Sequence, residues 1–181
     1  MYKLVSTSDG KEAASQPVDF YSAGACGAGI TPFFTDYVPH WKHNGFWFFN
    51  SPGVMQEIAV EKHIDLSGMT LFFYELYEFE FDLPDAGEEA WSPIESESSF
   101  VTEIVVPSKK VLAGFDVVEY VCRNSPECSL LSCSNLAKEF TVNSHCLFDT
   151  LEDAKVAVES GKFHEREPGP YRILAVYVVT V

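Results

Sequence analysis

Met69-Thr70-Leu71-Phe72-Phe73-Tyr74-Glu75-Leu76-Tyr77-Glu78-Phe79-Glu80-Phe81-Asp82-Leu83 decides how this chain folds. Its odd positions are Leu71, Phe73, Glu75, Tyr77, Phe79 and Phe81. Its even positions open apolar with Phe72, Tyr74 and Leu76, then turn acidic at Glu78, Glu80 and Asp82. Successive side chains of a strand point to opposite faces, so each set shares one face. The first half is therefore expected to be buried on both sides. The second half is expected to leave the sheet interior with one acidic face, because three carboxylates in a row cannot share a dry face without partners.

The flanks supply the other elements. Residues 83–99 form an unusually long acidic loop, with Asp85, Glu88, Glu89, Glu95 and Glu97 around Trp91. Loops beyond about 12–15 residues tend to be functional or disordered. Phe100–Val106 reads as a strand ended by Pro107, and Val111–Leu112 with Phe115–Cys122 as another, broken at Gly114. One helical turn is expected at Asn135–Glu139, and a helix at 151–160, capped by Asp149 or Thr150 with Gly161 at its end. Glu167-Pro168-Gly169-Pro170 turns the chain into Tyr171–Val179, apolar on both faces beyond Arg172 and so a central strand. Upstream, Tyr2–Thr7 reads as a strand and Gly45–Phe49 as another. Ser51-Pro52 marks the start of a helix over 52–63. These elements predict one α+β domain over residues 1–181: a mixed or antiparallel sheet of five or more strands with two main helices.

Composition narrows the function. The 181 residues include 46% apolar side chains, enough for a core without staples. Met1–Asp9 shows no signal-peptide apolar region, no stretch approaches transmembrane length, and the five cysteines are an odd number. A soluble cytoplasmic protein with reduced thiols is expected. The net charge of −15 is concentrated: residues 61–106 hold twelve acids against Lys62, a balance of −11. Nucleic acid and anionic membranes are poor partners for such a surface, and basic proteins or cations are favoured.

Several groups could carry chemistry. Cys122, Cys128, Cys133 and Cys146 cluster near His145, with a spacing unlike the close pairs of zinc sites. They read either as small buried hydrophobes or as ligands of a structural metal such as zinc, with only one of the adjacent His145 and Cys146 able to ligate. Cys26, within Gly24-Ala25-Cys26-Gly27-Ala28-Gly29, is either a nucleophile on an anion-binding loop or part of a tight glycine turn. His40 and His43 flank Trp41 without a visible third ligand. Glu75 interrupts an apolar face. Buried, it would gain the raised pKa of a general acid or base; at a bulge or edge it would reach water or an arginine. Glu78, Glu80, Asp82, Glu88 and Glu89 around Trp91 resemble an interaction surface, with Trp as anchor and the charges steering association. The leading expectation is thus an inhibitor- or immunity-like protein that presents a carboxylate-rich face to a basic partner. The alternatives are a small enzyme using a cysteine or Glu75, and a domain with structural metal at 122–146.

Overall fold

The computed structural model describes residues 2–6, 49, 51–63, 65–67, 69–85, 89–94, 104–120, 128–133 and 136–180. Its elements are β1 (Tyr2–Ser6), α1 (Pro52–Lys62), β2 (Met69–Phe81), β3 (Trp91–Pro93), β4 (Lys110–Glu119), β5 (Cys128–Ser129), the single turn α2 (Leu130–Cys133), a 3-10 turn (Leu136–Lys138), α3 (Leu151–Glu159) and β6 (Tyr171–Val179). All the strand pairings are antiparallel, in the order β1-β2-β6-β4-β5, with β3 on β2. The class is α+β, with one sheet and few helices. Among the described residues four strands carry the sheet, and the other two pairings span only three and two residues. The expected sheet of five or more strands is not borne out among them.

The expected central strand is β6, held between β2 and β4. Alternation along these three strands builds one core on each face. Phe72, Tyr74, Val118, Tyr120, Leu174 and Val176 form the first. Phe81, Val117, Tyr171 and Ile173 form the second, covered by Ala154, Ala157 and Val158 of α3 and by Leu130, Leu131 and Leu136. Helix α3 starts as its sequence dictates: the Thr150 hydroxyl accepts the Asp153 N–H, with Glu152 and Asp153 in the first turn. Helix α1 starts at Pro52 and ends at His63 in the left-handed region, although the Ser51 side chain makes no capping bond.

Two expected features take another form. Ile104–Pro107 join no ladder; Ile104 packs against the first core while Val105 and Val106 are exposed. Ile104 is partly buried there, and residues 100–103 of the expected strand lie outside those described. The loop after β2 partly closes into a hairpin, with Phe81 opposite Trp91 and Phe79 opposite Pro93. Aromatic contact stabilises that return, since the Phe81 and Trp91 rings meet edge to face at 5.2 Å.

The break at Gly114 is a bulge in a continuous β4. Gly114 has φ 146°, and a Cβ there would lie 2.6 Å from the Phe148 carbonyl oxygen and 2.7 Å from the Leu147 Cβ. Residues 143–148 fill that space. Asn143 Nδ2 donates to the Ala113 carbonyl at 2.8 Å, its Oδ1 accepts the His145 N–H at 2.9 Å, and Phe115 and Phe148 exchange backbone bonds of 2.8 and 2.9 Å.

β2 runs from 76 to 80 while β6 runs only from 174 to 172, so β2 carries two extra residues. An even insertion preserves alternation and sets Glu80 opposite Arg172. Arg172 Nε donates to Glu80 Oε2 at 2.8 Å, with side-chain exposures of 5% and 23%. The guanidinium also lies 4.4 Å from the Tyr120 ring centroid. A buried cation requires such partners.

Two stability outcomes follow. Gly114→Ala is expected to cost about 2–4 kcal/mol in urea unfolding, through backbone strain and overpacking. Glu80→Gln is expected to cost about 1–3 kcal/mol because it removes the carboxylate charge bonded to a buried guanidinium, whereas Glu78→Gln should stay within about 0.5 kcal/mol.

Candidate functional site

Alternation separates residues that the sequence placed on one surface. Tyr77, Phe79 and Trp91 line a cleft beside α3, while Glu78 and Glu80 belong to the opposite set of β2 positions. Glu80 is held by Arg172, and Glu78, Asp82 and Glu89 are exposed. Asp82 Oδ1 accepts the Leu83 N–H at 2.9 Å. Glu88 lies outside the described residues. Among the described residues, Glu78 and Glu80 thus lie on the face of β2 opposite the Trp91 contacts, and Arg172 pairs with Glu80.

The acids beside Trp91 come from α3 instead. The cleft, of about 390 Å³, is lined by Tyr77, Phe79, Trp91, Glu152, Lys155 and Glu159. Residues three and four apart on a helix share a face, which brings Glu152, Lys155 and Glu159 into line. The indole Nε1 of Trp91 donates to Glu159 Oε1 at 2.8 Å and ties the hairpin to the helix. Tyr77 meets Trp91 edge to face at 6.3 Å and Phe79 at 5.6 Å. Lys155 Nζ sits 4.6 Å from the Tyr77 ring centroid and 5.8 Å from that of Trp91. Its pKa is raised, first by the Tyr77 hydroxyl, against a smaller desolvation, and then by the negative charges of Glu152 and Glu159. Such a cleft attracts cations through ring quadrupoles and carboxylates together. Glu152-x-x-Lys155-x-x-x-Glu159, on a helix the sequence had already marked, was the legible signal for it.

The other candidates lie elsewhere. Glu75 is half-exposed and hydrogen-bonded to Lys110, whose ammonium also lies 4.1 Å from the Tyr177 ring centroid. Partial burial pushes the Glu75 pKa up, but the bonds from Lys110 and Tyr177 and the Lys110 charge outweigh it and leave the pKa lowered. That is opposite to the shift expected of a general acid. The same carboxylate and partial burial raise Tyr177 to about 12, burial being the larger cause.

Cys146 is buried at φ 55°, and burial, then the negative charge of Asp116, raises its thiol pKa. A raised thiol pKa lowers the fraction present as the nucleophilic thiolate. His145, its neighbour, is exposed and meets the Phe72 ring edge-on at 6.5 Å. Cys128 lies in β5 and Cys133 ends α2, both placed by backbone alone. Cys26, Cys122, His40 and His43 lie outside the described residues. Among the described residues no group of three His, Cys, Asp or Glu side chains is placed to hold a metal ion. Also among them, no helix is long and apolar enough to cross a membrane.

No protein-family model, curated protein or solved structure matches the chain.

The Glu75–Lys110 pair has a definite pH signature. A lowered carboxyl pKa contributes stability that is present above the ordinary value of 4.5 and lost as pH falls through the folded value. Glu75→Gln is therefore expected to lower stability by up to about 1 kcal/mol at pH 7, the small effect of a half-exposed pair. The gap should close below pH 4.5 in urea titrations run across pH.

Proposed function

We propose that this is a binding protein whose aromatic and acidic cleft, between the β2–β3 hairpin and α3, engages a basic protein partner. The observation that carries this reading is the Lys155 ammonium, already resting over Tyr77 and Trp91 with Glu152 and Glu159 nearby. The site holds a cation in the folded chain itself. The net charge of −15 supports the same reading, because it steers positively charged partners toward the surface over distances beyond contact. Exposed Asp85 and Glu89, between β2 and β3, add to the negative charge of the chain near the hairpin. Trp91 supplies the large, partly buried ring that anchors interfaces of this kind.

Octa-arginine is the test ligand and octa-glutamate its control, titrated calorimetrically at low salt and at roughly 0.15 M ionic strength. Octa-arginine alone is expected to bind, more weakly at the higher salt. Glu152→Gln and Trp91→Ala should each weaken it about tenfold. Absence of octa-arginine binding at low salt overturns the reading. Binding undiminished by both substitutions removes the cleft from it.

A further inference from the structure

We propose that Lys155 is an internal placeholder in this cleft, and that the occupant the cleft fits better is the guanidinium of an arginine side chain on the partner. This inference rests on the basic-partner reading and specifies its ligand. Lys155 lies over two rings, yet a cleft of about 390 Å³ stays open beside it, so the lysine does not fill the space it occupies. An ammonium is a compact, strongly hydrated charge on a flexible stem, and it returns readily to water. A guanidinium is flat, stacks on aromatic faces and offers five N–H donors in a fork that matches a carboxylate. Both needs are met here. Tyr77, Phe79 and Trp91 supply ring surface, and Glu152 acts on Lys155 through its charge rather than through a hydrogen bond. Glu159 commits Oε1 to the Trp91 indole, which fixes the ring that an incoming guanidinium would meet. The occupant must displace Lys155 and therefore competes with a group that is always present. Removing the lysine should raise affinity.

The experiment titrates three short peptides, identical but for a central arginine, lysine or citrulline, into the wild-type chain, Lys155→Gln and Lys162→Gln. Lys162 lies 5.0 Å from the Phe140 ring centroid and 3.9 Å from Glu139, so its substitution changes the net charge equally without touching the cleft. The readout is the nitrogen–proton NMR signal of the Trp91 indole, assigned with Trp91→Phe. The arginine peptide is expected to shift that signal, and to bind Lys155→Gln about three- to tenfold more tightly than wild type. Lys162→Gln should stay within about twofold of wild type, and citrulline, which lacks the charge, should not bind.

Equal affinity of wild type and Lys155→Gln overturns the placeholder, as does an equal gain in Lys162→Gln. A lysine peptide that matches arginine overturns the guanidinium preference. An indole signal unmoved in every variant overturns the cleft as the site. If octa-arginine binding still depends on Glu152 and Trp91 while the Lys155 comparison fails, the placeholder falls and the basic-partner reading stands.

Discussion

The Arg172–Glu80 pair is the constraint around which the sheet is arranged. A guanidinium with 5% side-chain exposure sits in the central strand, and its bond to Glu80 places a carboxylate opposite it on β2. Glu80 reaches it only because β2 carries two extra residues between Leu76 and Glu80. The same irregularity carries β2 onward to where Phe81 opposes both Tyr171 and Trp91, so the hairpin return is tied to the placement of one ion pair. The Tyr120 ring beside the guanidinium adds a cation–π contact. Charge satisfaction and aromatic packing therefore select the same strand register.

Local periodicity made the frame readable, and long-range pairing kept the site hidden. β6 matches its sequence boundaries because an uninterrupted apolar run rich in β-branched residues follows a proline-rich turn. α3 was legible from Thr150, its acidic first turn and Gly161. The alternation along β2 gave the correct faces, but it could not reveal that Arg172 would neutralise Glu80 from 92 residues away. Trp91 and Glu159 are separated by 68 residues, so the cleft exists only after the hairpin and helix have packed on one face of the sheet. Reading Trp91 with the acids nearest in sequence placed it on the wrong side of β2. The helical spacing of Glu152, Lys155 and Glu159 was visible, yet nothing local pointed to an aromatic wall opposite. Of Phe100–Val106 only the last three residues are described, and there Ile104 packs against the first core.

The two lysine sites show how one chemistry serves separate ends. Lys110 rests near the Phe73 and Tyr177 rings and is bonded to Glu75, which resolves an acid on an otherwise apolar strand face. Lys155 makes the corresponding contact with Tyr77 and Trp91, but its carboxylates act by charge and the space beside it is open. The first arrangement is closed on itself. The second retains unfilled volume, which is what distinguishes a receptive surface from a structural one.

The Asn143–Phe148 segment has a consequence for how copies of this chain meet one another. Strands with a bare row of donors and acceptors invite neighbouring chains to extend the ladder. Here Phe148 takes both main-chain groups of Phe115, and Cys128–Ser129 cover Val118 and Glu119, so the outer side of β4 offers no uninterrupted template along that half. At Gly114 the bulge shifts the register between Leu112 and Gly114. A neighbouring copy therefore finds no continuous ladder to extend along residues 115–119.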